Sequence, residues 1–159
     1  MHTLGDYFSK EEKIRKFNES LVCGQVYYLD QSFLFREKNK YFLLVANTEP
    51  LSLFIINSKK PSLAVSNPHV DECQVLIEYV NHTSVVEHDC YIDCFQTCQK
   101  FSLEEIKEQV VNDPSRIKGT VSNDVLTLVY KAVMKAKKMS VNHKKPILKA
   151  IEEILQLAK

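Results

Sequence analysis

Two short runs decide the fold: Tyr41-Phe42-Leu43-Leu44-Val45-Ala46 and Leu51-Ser52-Leu53-Phe54-Ile55-Ile56. Each is almost unbroken in apolar residues and rich in aromatic and β-branched types. Turn formers bound them: Asn47 and Pro50 between the two, then Asn57, Ser58 and Pro61. Runs this short, with this composition and punctuation, read as strands rather than helices. Successive strand side chains point to opposite faces, so apolar residues at consecutive positions imply burial on both. A barrel interior on one side and a helix or partner on the other would supply that cover.

Upstream, Gln25 to Asp30 has the same character and follows a break at Gly24. Before it, Ser9-Lys10-Glu11-Glu12 has the form of a capping box, which predicts a helix to about Asn18. Downstream, Asn57 to Asp71, with Pro61 and Pro68, reads as a loop. Gln74 to Val80 and Glu87 to Asp93 are the remaining strand candidates. The period then changes. Ser102-Leu103-Glu104-Glu105 is a second capping box, opening a helix through about Val111 that Asn112-Asp113-Pro114 ends. Gly119 is expected in a flexible connection. Asp124 to Lys138 places Val125, Leu128, Val129, Ala132, Val133 and Ala136 on one helical face, with Lys131, Lys135 and Lys138 opposite. A last helix is predicted from Pro146, suited to a first turn, to Leu157. Its apolar face would be Ile147, Leu148, Ile151, Ile154, Leu155 and Ala158.

Strands first and helices after predict an α+β fold: a small curled β-barrel of about five to six strands, with mainly C-terminal helices at one side or end. The 159 residues suit a single domain over 1–159, with strands within 21–98 and helices within 102–159.

Composition excludes several classes. No apolar run approaches a membrane span. Met1 to Lys16 is polar and lacks an apolar h-region, so no signal peptide is expected and the predicted location is cytoplasmic. Three glycines exclude a Gly-rich phosphate loop. Five cysteines, an odd number in a chain large enough to fold without staples, read as reduced thiols. His88-x-Cys90-x3-Cys94-x3-Cys98 lacks the C-x2-C pairs of a zinc knuckle, and Cys90 and Cys94 read better as small buried hydrophobes. No metal or other cofactor is expected. The net charge of +1 hides an asymmetry. Asp71 to Asp113 is strongly acidic, while Val125 to Ile151 carries seven Lys and no acid. The basic stretch is either an anion-binding surface or a solvated helix face.

Several stretches together resemble the PemK/MazF family of toxin-type endoribonucleases. Gly24-Gln25-Val26-Tyr27-Tyr28-Leu29-Asp30 resembles the family's opening strand. Lys40-Tyr41-Phe42-Leu43-Leu44-Val45 resembles its second strand, which an Arg-Pro pair usually precedes. Leu53-Phe54-Ile55-Ile56-Asn57-Ser58 resembles the strand that normally ends in a catalytic Thr or Ser. Glu87 to Cys94 sits where the family carries a charged residue, Asp, Ser and an aliphatic strand. Gly119 and the helix after Ser122 fit its closing segment. The resemblance spans roughly Cys23 to Lys138.

The resemblance implies an SH3-like barrel, usually dimeric, that cleaves single-stranded RNA without metal and is neutralised by an acidic antitoxin protein. Its catalytic Arg falls on Lys40, and its Thr on Asn57 with Ser58 adjacent. Lysine is a point charge without the planar fork of arginine, and an amide cannot move a proton as a hydroxyl can. Arg36 and Lys38 could supply further cations from the same loop. His88 adds a group suited to general acid–base work near neutral pH; its alternative is a strand-edge histidine with a structural hydrogen bond. On a strand it would share a face with Cys90, Ile92 and Cys94. Lys131 and Lys135 could bind RNA phosphates without sequence readout. The alternative to an endoribonuclease is a barrel that has lost cleavage and serves as an RNA- or protein-binding module.

Overall fold

The computed structural model describes residues 7–31 and 39–157. Arg36 and Lys38 lie outside the described residues. The elements in order are α1 (Lys10–Ser20), β1 (Gln25–Asp30), β2 (Asn39–Ala46), β3 (Ser52–Asn57), α2 (Ser62–Ser66), α3 (Pro68–Asp71), β4 (Gln74–Ile77), β5 (Cys90–Asp93), α4 (Leu103–Asn112), β6 (Ile117–Thr120), α5 (Asn123–Lys135) and α6 (Val141–Leu157). The strands form one sheet in the order β4-β5-β3-β2-β1-β6, antiparallel throughout. It is an α+β fold whose sheet curls into half a barrel. Among the described residues, no helix is long and apolar enough to cross a membrane.

The two deciding runs are β2 and β3, paired from Tyr41↔Ile56 to Ala46↔Ser52. Their consecutive apolar residues divide between two cores, as strand alternation requires. Leu43, Val45, Phe54 and Ile56 join Val26, Val75 and Ile92 beneath α5 and α6, which contribute Val129, Val133, Ile147 and Ile151. Phe42, Leu44 and Leu53 join Tyr27 and Leu29 on the opposite face, beneath Phe17 of α1 and Ile106 and Val110 of α4. The chain's own helices therefore cover both faces, rather than lying at one side or end. Phe42 and Phe101 meet edge to face at 5.0 Å.

Both predicted helix starts stand at the expected places, the first with a serine N-cap and the second with a full capping box. Ser9 Oγ accepts from Glu12 N, and Ser102 and Glu105 complete a reciprocal box. Five details differ from expectation. Ile117–Thr120 is a strand, pairing with β1. The Asn57–Asp71 loop holds two short helices, α2 and α3. On α5, Leu126 is buried while Leu128 is 48% exposed. The face is rotated because Val125, Val129 and Val133 aim at the sheet, putting Leu126 inside and Leu128 at its edge. The last helix starts at Val141, five residues before Pro146, which therefore lies inside it, with Ser140 accepting from the His143 and Lys144 amides. Finally, β5 begins at Cys90, so His88 precedes the strand.

Gly24 and Gly119 have φ values of 98° and 121°, a region that side chains with a Cβ rarely adopt. Gly24 stands just before the β1–β6 pairing and Gly119 lies within it, opposite Val26: the Gly24 carbonyl accepts from Val121 N, and the Gly119 carbonyl accepts from the Gln25 side chain.

Candidate functional site

Tyr28 of β1, Tyr41 of β2 and Ile56 of β3 stand in one cross-strand row, in register Tyr28↔Tyr41↔Ile56. The row continues the α5/α6 face of the sheet to its far end, where no residue of either helix lines the surface. A cavity of about 320 Å³ opens there, completed by Asn39, Lys40, Asn57, Ser58, Lys59, His88 and Cys90. Lys40, Asn57, Ser58 and His88, separated in sequence, thus converge on one cavity. Lys131 and Lys135 do not: both are exposed on α5 and line a different groove beside β4.

Each side chain has a positional cause. Lys40 and Asn57 sit at the adjoining ends of β2 and β3, and Lys40 Nζ donates to Asn57 Oδ1 at 3.2 Å. Ser58 and Lys59 follow in the exposed turn where β3 stops. His88 precedes β5 beside Asp89, whose carboxylate accepts from Tyr79 N at 2.8 Å and so pins this segment. His88 Nδ1 lies 2.9 Å from the Asp89 carbonyl oxygen. A carbonyl can only accept, so Nδ1 carries the hydrogen, and in the neutral ring Nε2 is left as a proton acceptor. The Cys90 thiol donates to the His88 carbonyl at 3.2 Å.

The aromatic floor is equally defined. The Tyr28 and Tyr41 rings lie 4.7 Å apart, tilted by 38°. Burial pushes the Tyr41 phenol up from its ordinary value, helped by the negative charge of Glu87 and the neighbouring Tyr28 and Cys90. Tyr41 therefore stays a hydrogen-bond donor at neutral pH. Burial, with Asp89 beside it, likewise raises the Cys90 thiol, which makes it a poor nucleophile.

Two further cations come from the segment expected to be a flexible connection. Arg116, just before β6, donates through Nη1 to the Tyr28 carbonyl at 2.8 Å and to Asn39 Oδ1 at 2.9 Å. Lys118 of β6 places its ammonium 5.7 Å from the Tyr28 ring centre. The signal was the alternation Arg116-Ile117-Lys118 before Gly119, which has the period of a strand.

His82 and His69 serve the framework. Buried His82 faces the Glu78 carbonyl through Nδ1 and accepts from Ser122 N through Nε2. His69 bonds Glu72 and accepts from Lys137 N. All five cysteines are free, with Cys73, Cys90 and Cys94 buried. Among the described residues, no group of His, Cys, Asp and Glu side chains is gathered as a metal site would require.

No protein-family model matches the chain, and no curated protein matches it.

Proposed function

We propose that the cavity binds single-stranded RNA and cleaves it without metal. The observation that carries this reading is the convergence of Lys40, Asn57, Ser58 and His88 beside a Tyr28–Tyr41 pair. Aromatic faces edged by cations suit single strands, whose unstacked bases lie on the rings while ammonium groups meet the backbone. Lys40, Lys59 and Lys118 are the cations here. Arg116 holds the backbone of Tyr28 and the side chain of Asn39 in place.

The chemistry follows from the groups present. His88 Nε2 takes the proton of a ribose 2′-hydroxyl, whose oxygen forms a bond to phosphorus as the bond from phosphorus to the 5′-oxygen breaks. Lys40 stabilises the charge on the pentavalent phosphorane. The Tyr41 phenol, kept protonated by burial, gives its proton to the departing 5′-oxygen, and solvent returns the His88 proton to it. The products are a 2′,3′-cyclic phosphate and a 5′-hydroxyl. Ser58 and Asn57 position the attacked phosphate. The likeness to the PemK/MazF pattern supports this reaction class, and with it a cytoplasmic toxin held by an acidic antitoxin.

A second reading is a binding module without cleavage. The hydrogen bond between Lys40 and Asn57 favours it, because this cation engages an amide where the family pattern places a hydroxyl. Purified protein incubated with single-stranded RNA in EDTA separates the two. Cleavage yielding cyclic phosphate and 5′-hydroxyl ends supports the enzyme. Binding without products supports the module, and neither result would overturn both.

A further inference from the structure

β4 is an edge strand: among the described residues it pairs only with β5. Its hydrogen-bonding phase is fixed by the bond from Cys94 N to the Cys73 carbonyl at 3.0 Å. Alternate residues of an antiparallel strand turn their backbone groups the same way. Cys73, Val75 and Ile77 therefore face β5, and Gln74 and Leu76 direct their N–H and C=O groups outward. Beside this edge runs a groove between β4 and α5, formed by two adjoining depressions of about 180 and 510 Å³ that share Leu76 and Leu128. Leu128 stands exposed at its centre.

The groove is polarised along its length. Lys131 and Lys135 lie at one end, and Glu78 and Asp124 at the other. Glu72 also lies at the basic end, but it is bonded to His69 and outnumbered by the two lysines. A surface with an apolar centre and opposite charges at its ends is complementary to itself under a two-fold rotation.

We propose that this groove is where a second copy of the chain docks, β4 against β4, joining two sheets into one. With the two-fold axis at Val75, Gln74 of each copy falls opposite Leu76 of the other, and the outward backbone groups of both strands are satisfied. The axis stands perpendicular to the sheet, so the α5 helices run antiparallel on the same side. Leu128 packs on its own counterpart. Lys131 and Lys135 of one copy face the Asp124 and Glu78 end of the other. The cavity around Tyr28 and Tyr41 shares no lining residue with this surface and stays open in both copies.

The test is a charge exchange read by analytical ultracentrifugation. The wild-type chain sediments as a dimer at tens of micromolar. Lys131→Glu with Lys135→Glu makes both ends of the groove acidic, and Glu78→Lys with Asp124→Lys makes both ends basic. Each double variant alone becomes monomeric, its dimer dissociation constant raised about a hundredfold or more by like-charge contact. An equimolar mixture of the two restores the dimer, because both end contacts are again between opposite charges. Leu128→Ser, at an exposed position outside the core, also yields a folded monomer. A monomeric wild-type chain would overturn the proposal. So would double variants that still dimerise alone, or a mixture of folded variants that stays monomeric.

Discussion

Lys40 Nζ and Asn57 Oδ1 meet at 3.2 Å across the ends of β2 and β3, which joins the two positions that the family likeness equates with a catalytic cation and a hydroxyl. The bond ties the ammonium to Asn57 where the two strands end, and both residues belong to the lining of the cavity. Lys40→Ala is expected to lower RNA cleavage by about 10²–10³, the typical loss when a preorganised donor to developing charge is removed. Lys40→Arg should restore part of it. The measurement is single-turnover cleavage in EDTA, beside a melting curve showing that the fold is intact.

The Tyr28–Tyr41 pair makes a separate expectation for binding. Stacking on an aromatic side chain contributes about 1–3 kcal/mol per base. Tyr28→Ala and Tyr41→Ala should each weaken binding of a short single-stranded RNA accordingly, whereas Tyr28→Phe should bind nearly as well as the wild type. Tyr41→Phe separates two roles: it keeps the stacking face but has no phenolic proton, so binding persists while cleavage slows. Fluorescence anisotropy alongside the cleavage assay resolves the two effects. Equal losses of both in Tyr41→Phe would remove the phenol from the mechanism.

The alkaline limit of stability follows from buried Tyr27 and half-buried Cys23. Burial raises the Cys23 thiol from 9.0 to about 12 and the Tyr27 phenol from 10.0 to about 12, the Ser20 hydrogen bond partly opposing the second shift. Both folded values lie above the unfolded ones, so the unfolded chain releases these protons first as pH rises. Their contribution is complete below about pH 9, declines above it and is lost by about pH 12. Thermal melts between neutral pH and pH 11 should show a falling midpoint. Cys23→Ser should flatten the early part of the fall.

Burial also predicts thiol reactivity. Cys73, Cys90 and Cys94 are enclosed, and burial is the leading cause raising each thiol. A thiol-specific reagent at pH 8 should leave these three unmodified in the folded protein and modify them in denaturant. Chelator and reductant should leave the melting midpoint unchanged. A fall of many degrees with EDTA would point to a metal held by the cysteines.

His82 makes the corresponding expectation for a buried polar group. It links the Glu78 carbonyl to the amide of Ser122, the residue that caps α5. His82→Ala strands both partners and should cost about 1–3 kcal/mol, read as a shift of the urea midpoint.

The strands and helices were legible wherever pattern and punctuation agreed. β2 and β3 followed from their apolar runs, and α1 and α4 from their capping boxes, because these signals lie within a few residues of one another. β6 was not legible. Ile117–Thr120 is short and contains a glycine, and its strand identity comes from pairing with β1 far away in sequence. Leu128 was misplaced because helical periodicity fixes which residues share a face, while the sheet beneath decides where that face is centred. Lys40, Asn57 and Ser58 were readable as residues at strand ends, and His88 as part of the expected Glu87 to Asp93 strand, which begins only at Cys90. Their meeting depends on β5 crossing next to β3, which no local pattern encodes. The roles of Arg116 and Lys118 depend on β6 in the same way.

The pairing of β6 with β1 also sets an order of assembly. The Gln25 side chain reaches the Gly119 carbonyl, 94 residues onward. During synthesis β1 can pair with β2 early, but its other edge stays open until α4 and the turn after it have been made. Contacts this distant in sequence form slowly, and an open strand edge is a template for the wrong partner. The most vulnerable surface of the nascent chain is therefore one that the finished protein no longer displays. Slowing translation just before Ile117 would lengthen that exposure, and a strand from a neighbouring chain could occupy the place reserved for β6.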